Sequence, residues 1–101
     1  MTDQSWKDEQ IAHDTPRRLA GLLECDVRED LLVYIPQSDT AVALNGSARA
    51  VWDLCRGDSS VAVIADSLGQ RFGVPAGALL PDVIEAVDRL RGFGLLTERD
   101  G

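Results

Sequence analysis

The sequence predicts an α+β domain of winged helix-turn-helix-like plan, a three-stranded antiparallel sheet followed by three helices. Three observations predict it. The first half carries short β-rich apolar runs separated by turn residues. Near residue 45 the apolar period changes from that of a strand to that of a helix. From there three apolar stripes at i, i+3, i+4, i+7 spacing follow one another. At 101 residues, 45% hydrophobic and 27% charged, the chain has the size and composition of one small domain with a single core.

The strands come first. The stretch around Leu22 to Val27 reads as one strand and leads into an acidic turn. "LLVYIP", residues 31–36, is the second; it ends at Pro36, which has no N–H to give to a ladder. "QSD" then turns the chain and "TAVAL", residues 40–44, returns it, so the last two strands form an antiparallel hairpin. Asn45-Gly46 is a strong hairpin signal in isolation. Here it precedes the stripe Ala48, Val51, Trp52 and Cys55, and the helical reading wins, with Asn45 or Ser47 as N-cap and Gly57 as the residue that ends the helix in left-handed φ.

A second helix is capped by Ser59 or Ser60, presents Val61, Ile64, Ala65, Leu68 and Phe72, and stops at Gly73. "VPAGALL" reads as a loop, with Pro81 in the first turn of a third helix, where a missing N–H is harmless. That helix presents Leu80, Val83, Ile84, Val87 and Leu90 and ends near Gly92 or Gly94. Leu95-Leu96 covers the core or adds a strand. Residues 1–15 are polar apart from Trp6 and Ile11 and are expected to form a flexible segment ahead of a domain spanning 16–101.

The net charge is −7, with most of the acidity before residue 45. Such a surface repels phosphate backbones and anionic lipid, which argues against nucleic-acid and membrane partners and for a polypeptide one. The third helix, which would enter a DNA groove, carries Asp82, Glu85 and Asp88 against Arg89 and Arg91. Those acids alternate with the apolar stripe and read as a solvated face. No membrane-length apolar run or secretory signal is present, which points to the cytoplasm.

Nothing in the sequence supports catalysis. His13 is the sole histidine, Cys25 and Cys55 form no metal or redox motif, and no phosphate-binding glycine loop occurs. Cys55 is expected in the core and Cys25 on a strand, both reduced. "RGD" at 56–58 is a helix end and a turn. No cofactor and no metal is expected.

The sheet suggests a different use. "TAVAL" has no Lys, Pro or charge to blunt an edge, and an uncharged edge beside an apolar helix can receive an extended peptide. The same edge is equally suited to a loop or to a second copy, giving a homodimer through the edge strand.

These residues resemble a known family. A strand ending in Leu44-Asn45 precedes the helix of Val51-Trp52 and Leu54-Cys55. Gly57 follows, then Ser60, Ile64 and Leu68, the Phe72-Gly73 end, Asp82-Val83 and Gly94-Leu95-Leu96. In order and spacing, over roughly residues 16–97, this resembles the PqqD family of peptide-modification chaperones, also called RiPP recognition elements, where RiPP means ribosomally made and post-translationally modified peptide.

The resemblance implies a non-catalytic domain that binds the leader of a precursor peptide by strand addition and presents it to a modifying enzyme, such as a radical SAM protein. By position, Thr40, Ala41, Val42, Ala43 and Leu44 would supply the strand edge. Val83, Ala86, Val87 and Leu90 would supply the helix side, and Arg89 or Arg91 would pair with an acid of the leader. Members of the pyrroloquinoline quinone (PQQ) pathway tend to carry "LLYPEG"- and "GW"-type segments where this chain has "LLVYIPQSD" and "GFGLL". Those departures point to a relative serving another modified peptide. An acidic winged-helix regulator or a protein–protein adaptor is the alternative.

Overall fold

A computed structural model of the chain describes residues 14–97. Three antiparallel strands, β1 (Leu23–Val27), β2 (Asp30–Ile35) and β3 (Thr40–Leu44), form one sheet in the order β1-β2-β3. Helices α1 (Gly46–Asp53), α2 (Val61–Phe72) and α3 (Ala76–Gly92) follow; α1 packs on one face of the sheet, and α2 and α3 pack on each other, with α3 also against α1. The expected α+β plan of three strands and then three helices is the observed one.

Register decides what each face of the sheet carries. Leu31 lies opposite Leu44 and Val33 opposite Val42, so the inward face of β2 and β3 is apolar and joins the core. On β1 the alternation is reversed. Asp26 lies opposite Leu31 and Glu24 opposite Val33, which turns both acids toward the helices and leaves Leu23, Cys25 and Val27 facing outward. Two contacts from α1 hold the acids there. Trp52 Nε1 donates to Glu24 Oε1 at 2.8 Å, and the Arg49 guanidinium bonds the Asp26 carboxylate.

The Asn45 side chain caps α1 by accepting from the Ala48 N–H at 2.9 Å, which settles the Asn-Gly ambiguity for the helix. Gly57 does have left-handed φ (82°), but α1 ends earlier, with Leu54 as its C-cap. Gly57 instead turns the connecting loop toward α2. Ser60 caps α2 and Gly73 (φ 69°) ends it.

The start of α3 differs from expectation. The helix begins at Ala76, with Pro75 as its N-cap residue, so part of "VPAGALL" is helical and Pro81 lies inside the helix. The proline ring removes one i→i−4 bond, but burial of Val83, Val87 and Leu90 farther along holds the helix to the core. Phe72, expected on the α2 stripe, is 57% exposed.

Trp52, Cys55, Ile64, Val61, Val87, Leu90 and Leu95 fill the centre, and Leu96 is also buried. Residues 14–19 are stitched between the α1–α2 loop and the chain's end. Gly57 N–H donates to Pro16 C=O, Arg18 N–H to Cys55 C=O, Leu19 N–H to Leu95 C=O and Thr97 N–H to Arg17 C=O. Asp14 accepts from Val61 N–H on its backbone carbonyl, while its carboxylate takes a 3.0 Å ion pair from Arg91. The expected flexible segment lies otherwise outside the described residues, as do Trp6, Ile11 and His13.

Candidate functional site

The sheet has two outer strands, β1 and β3, and they differ in kind. β1 places Glu24 and Asp26 at inward positions, and an inward-pointing charge is a recurrent way of spoiling an edge for a further strand. β3, "TAVAL", bears no charge. In an antiparallel pair only alternate residues turn their N–H and C=O toward the neighbour, so the others on β3 point outward. The β2–β3 turn is pinned by Tyr34, whose hydroxyl donates to Asp39 Oδ1 at 2.6 Å. That bond, and to a lesser degree burial, raises the Tyr34 pKa above its ordinary value.

At its C-terminal end β3 runs into an open groove of about 1170 Å³. Ala43 and Leu44 begin it, the first turns of α1 (Gly46 to Ala50) form one wall and α3 forms the other. Its floor is core: Leu44, Val51, Leu68, Val83 and Leu90 all line it and all are buried. Phe72 and Phe93 line it as well, and at 57% and 51% exposed they stand at its rim. The charges around it are mixed. Glu29, Asp53, Asp82 and Glu85 are set against Arg49, Arg71 and Arg89. Arg89 lies 3.5 Å from Glu85, one turn back on the same exposed helix surface, and the Arg71 guanidinium sits 5.4 Å over the Phe72 ring.

The residues singled out by sequence distribute as follows. Thr40, Ala41, Val42, Ala43 and Leu44 form the outer strand, with the last two also in the groove. Val83, Ala86, Arg89 and Leu90 line the groove from α3. Val87 does not; it is 1% exposed and packs into the core.

Arg91 is also misplaced by the sequence reading. About 200° around the helix from Arg89, it pairs with Asp14 and donates from Nε to the Thr97 carbonyl, away from the groove. Asp82 and Glu85 are exposed, as expected of a solvated face, and also line the open groove. The sequence reading missed Phe72, Phe93, Arg71 and the α1 wall. Its one available signal was a Phe-Gly pair ending each of two helices, which does not reveal that the two ends share a groove.

The remaining reactive groups lie elsewhere. Cys25 is an exposed free thiol on β1. Cys55 is free and buried, its Sγ hydrogen donated to Val51 C=O, and burial pushes its pKa up to about 12. Among the described residues no group of three or more His, Cys, Asp or Glu side chains is placed to hold a metal ion, and no helix is long and apolar enough to cross a membrane.

Comparison with known families gives a match to Coenzyme PQQ synthesis protein D (PqqD) over residues 30–96. The chain belongs to the PqqD family. That span begins with β2 and takes in β3, the groove and all three helices. A "PqqA binding protein" of Bradyrhizobium diazoefficiens is 33% identical over 81 residues, 80% of this chain and 77% of that protein. Among solved structures, "TbiB1 in Complex with the TbiA(beta) Leader Peptide" superposes with a TM-score of 0.72 at 14% identity, covering 84% of this chain and 99% of the other. At that identity the likeness is one of fold.

Proposed function

We propose that the chain is a non-catalytic peptide chaperone: it binds the leader of a ribosomal precursor peptide as an added strand beside β3 and presents it to a modifying enzyme. One observation carries the reading. The only uncharged outer strand among the described residues opens directly into an apolar-floored groove walled by α3. Main-chain bonds to Thr40–Leu44 fix the peptide's direction, and the groove selects its side chains. Val83, Ala86 and Leu90 receive an apolar residue, with Phe72 and Phe93 closing over it. Arg89, with Arg71, faces an acid of the leader.

Family membership supports this reading, as do the name of the Bradyrhizobium relative and the leader bound to the structural neighbour. The enzyme served is of the class that modifies such peptides, a radical SAM protein being one form. The protein works in the cytoplasm, where precursor peptides are made.

The test is a titration of the isotope-labelled chain with the leader peptide, following backbone amide shifts. The largest changes are expected at residues 40–45, 72, 82–90 and 93. Shifts confined to β1 or to residues 61–68, or none, refute the reading.

A further inference from the structure

The inverted alternation of β1 leaves an apolar surface on the side of the sheet away from the helices. Across it, Leu23, Tyr34 and Ala41 form one row and Cys25, Leu32 and Ala43 the next, with Val27 beyond, beside Asp30 at the margin. Leu23 is 59% exposed and Val27 53%. A slip of one residue in β1 would turn these side chains toward the helices and put Glu24 and Asp26 on the outer face. The chain instead turns the acids to the helix side, where they bond Trp52 and Arg49 at the sheet margin, and leaves the apolar residues on the other face. By area such a patch is ordinary for a monomer, so its meaning rests on what it adjoins.

Size and charge identify the occupant. Three strands of five residues span roughly 14 by 17 Å, or about 240 Å². A stable dimer buries about 800 Å² on each partner. Two copies of this chain would also bring −7 against −7. The face is therefore too small and too repulsive for a permanent pair of like chains, and it suits a transient heterologous partner.

It is also continuous with the peptide-binding edge, because Ala41 and Ala43 belong to β3 itself. A leader strand added there would widen the sheet by a third. Its alternate side chains would then fall in line with the rows of Leu23 and Cys25.

We propose, resting on the chaperone reading above, that this outer face is the docking surface for the peptide-modifying enzyme, and that the bound leader completes it. The enzyme meets a composite of chain and substrate, so it engages the loaded carrier more tightly than the empty one. After the leader leaves, the shrunken face lets the enzyme go.

The test uses Leu23→Lys and Val27→Lys in the full chain, with thermal melts and amide spectra to verify that each folds. Three measurements follow: leader affinity by titration, steady-state modification of the precursor by the enzyme that modifies it, and sedimentation of the chain alone. The expected result is unchanged leader affinity, a KM for the carrier–leader complex raised at least tenfold with kcat unchanged, and a monomer in sedimentation. Normal modification kinetics in both variants overturn the inference while the chaperone reading survives. A wild-type dimer abolished by Leu23→Lys overturns it in favour of a second copy. Absence of leader binding by the wild-type chain defeats the chaperone reading and this inference together.

Discussion

A proline scan along β3 separates strand addition from any other mode of binding. Proline removes one N–H and adds a ring on the same side of the backbone. In the observed register Leu44, Val42 and Thr40 share one orientation in the ladder, and Ala43 and Ala41 share the other. Proline at one parity removes bonds to β2; at the other it removes bonds to the leader. A ladder bond is worth about 0.5–1.5 kcal/mol net. Lost inside the sheet, it lowers the melting temperature by several degrees, since about 1 kcal/mol corresponds to roughly 4–8 °C in a domain near this size. Lost to the leader, it weakens binding about 2- to 12-fold, and the ring's obstruction of the incoming strand adds to that.

Ala41→Pro, Val42→Pro and Ala43→Pro are therefore expected to give two sawtooth profiles out of phase. Where melting temperature falls most, affinity falls least. Thermal melts and fluorescence anisotropy with a labelled leader provide the two profiles. Two in-phase profiles mean that affinity merely follows folding, and equal loss at all three positions means that side chains rather than backbone hold the peptide. Either result refutes the strand-addition model. Cys25→Pro on β1 serves as the control and should leave affinity unchanged.

Gly69→Ala pits propensity against packing. Alanine gains about 1 kcal/mol in a helix, but its Cβ would lie 2.5 Å from the Val74 carbonyl oxygen, and forcing backbone apart in a packed site costs about 1–3 kcal/mol. Chemical denaturation should show net destabilisation, whereas Gly77→Ala, with open space around it, should be neutral or stabilising.

Arg91→Met leaves the Asp14 carboxylate, whose side chain is 11% exposed, without its cation. A loss of about 1–3 kcal/mol in the same assay is expected, with leader affinity intact. Alkali provides the last of these predictions. Cys55 holds its proton to about 12 when folded and to about 9 when unfolded, so the folded state binds more protons across that window. Stability should therefore be fully present below pH 9 and fall by up to about 1.4 kcal/mol per pH unit above it, in a denaturation series that Cys55→Ala flattens. Native thiol labelling should modify Cys25 and spare Cys55.

The sequence was most informative where a local rule and the tertiary structure agree. Asn45, Ser60 and Gly73 each perform a capping task that depends on a few neighbouring residues, and β3 has the limits that composition suggested. It was least informative where distant segments meet. Pro81 marks a helix start by local rule, yet packing of α3 on α2 carried the helix five residues farther back. Arg91 resembles Arg89 in type but lies about 200° around the helix, and the path of residues 14–19 supplies the partner it meets there. The same limit hid Phe72 and Phe93, which belong to different helices.

β1 shows why two edges of one small sheet need not be equivalent. Alternation alone would place Leu23, Cys25 and Val27 inside, and hydrophobic burial would favour that register. Against it stand a 2.8 Å bond from the Trp52 indole to Glu24, the 5.3 Å stacking of Arg18 over the same indole, and the Arg49–Asp26 pair. Sliding β1 by one residue would leave the buried indole N–H without its acceptor, at a cost of about 1–3 kcal/mol. The polar contacts thus hold a register that burial would not choose, with two effects on the sheet. The β1 edge is closed to a fourth strand by inward carboxylates, so an added strand has one place to go, beside β3 and its groove. On the proposed docking model, the apolar residues displaced outward are the ones the modifying enzyme would meet.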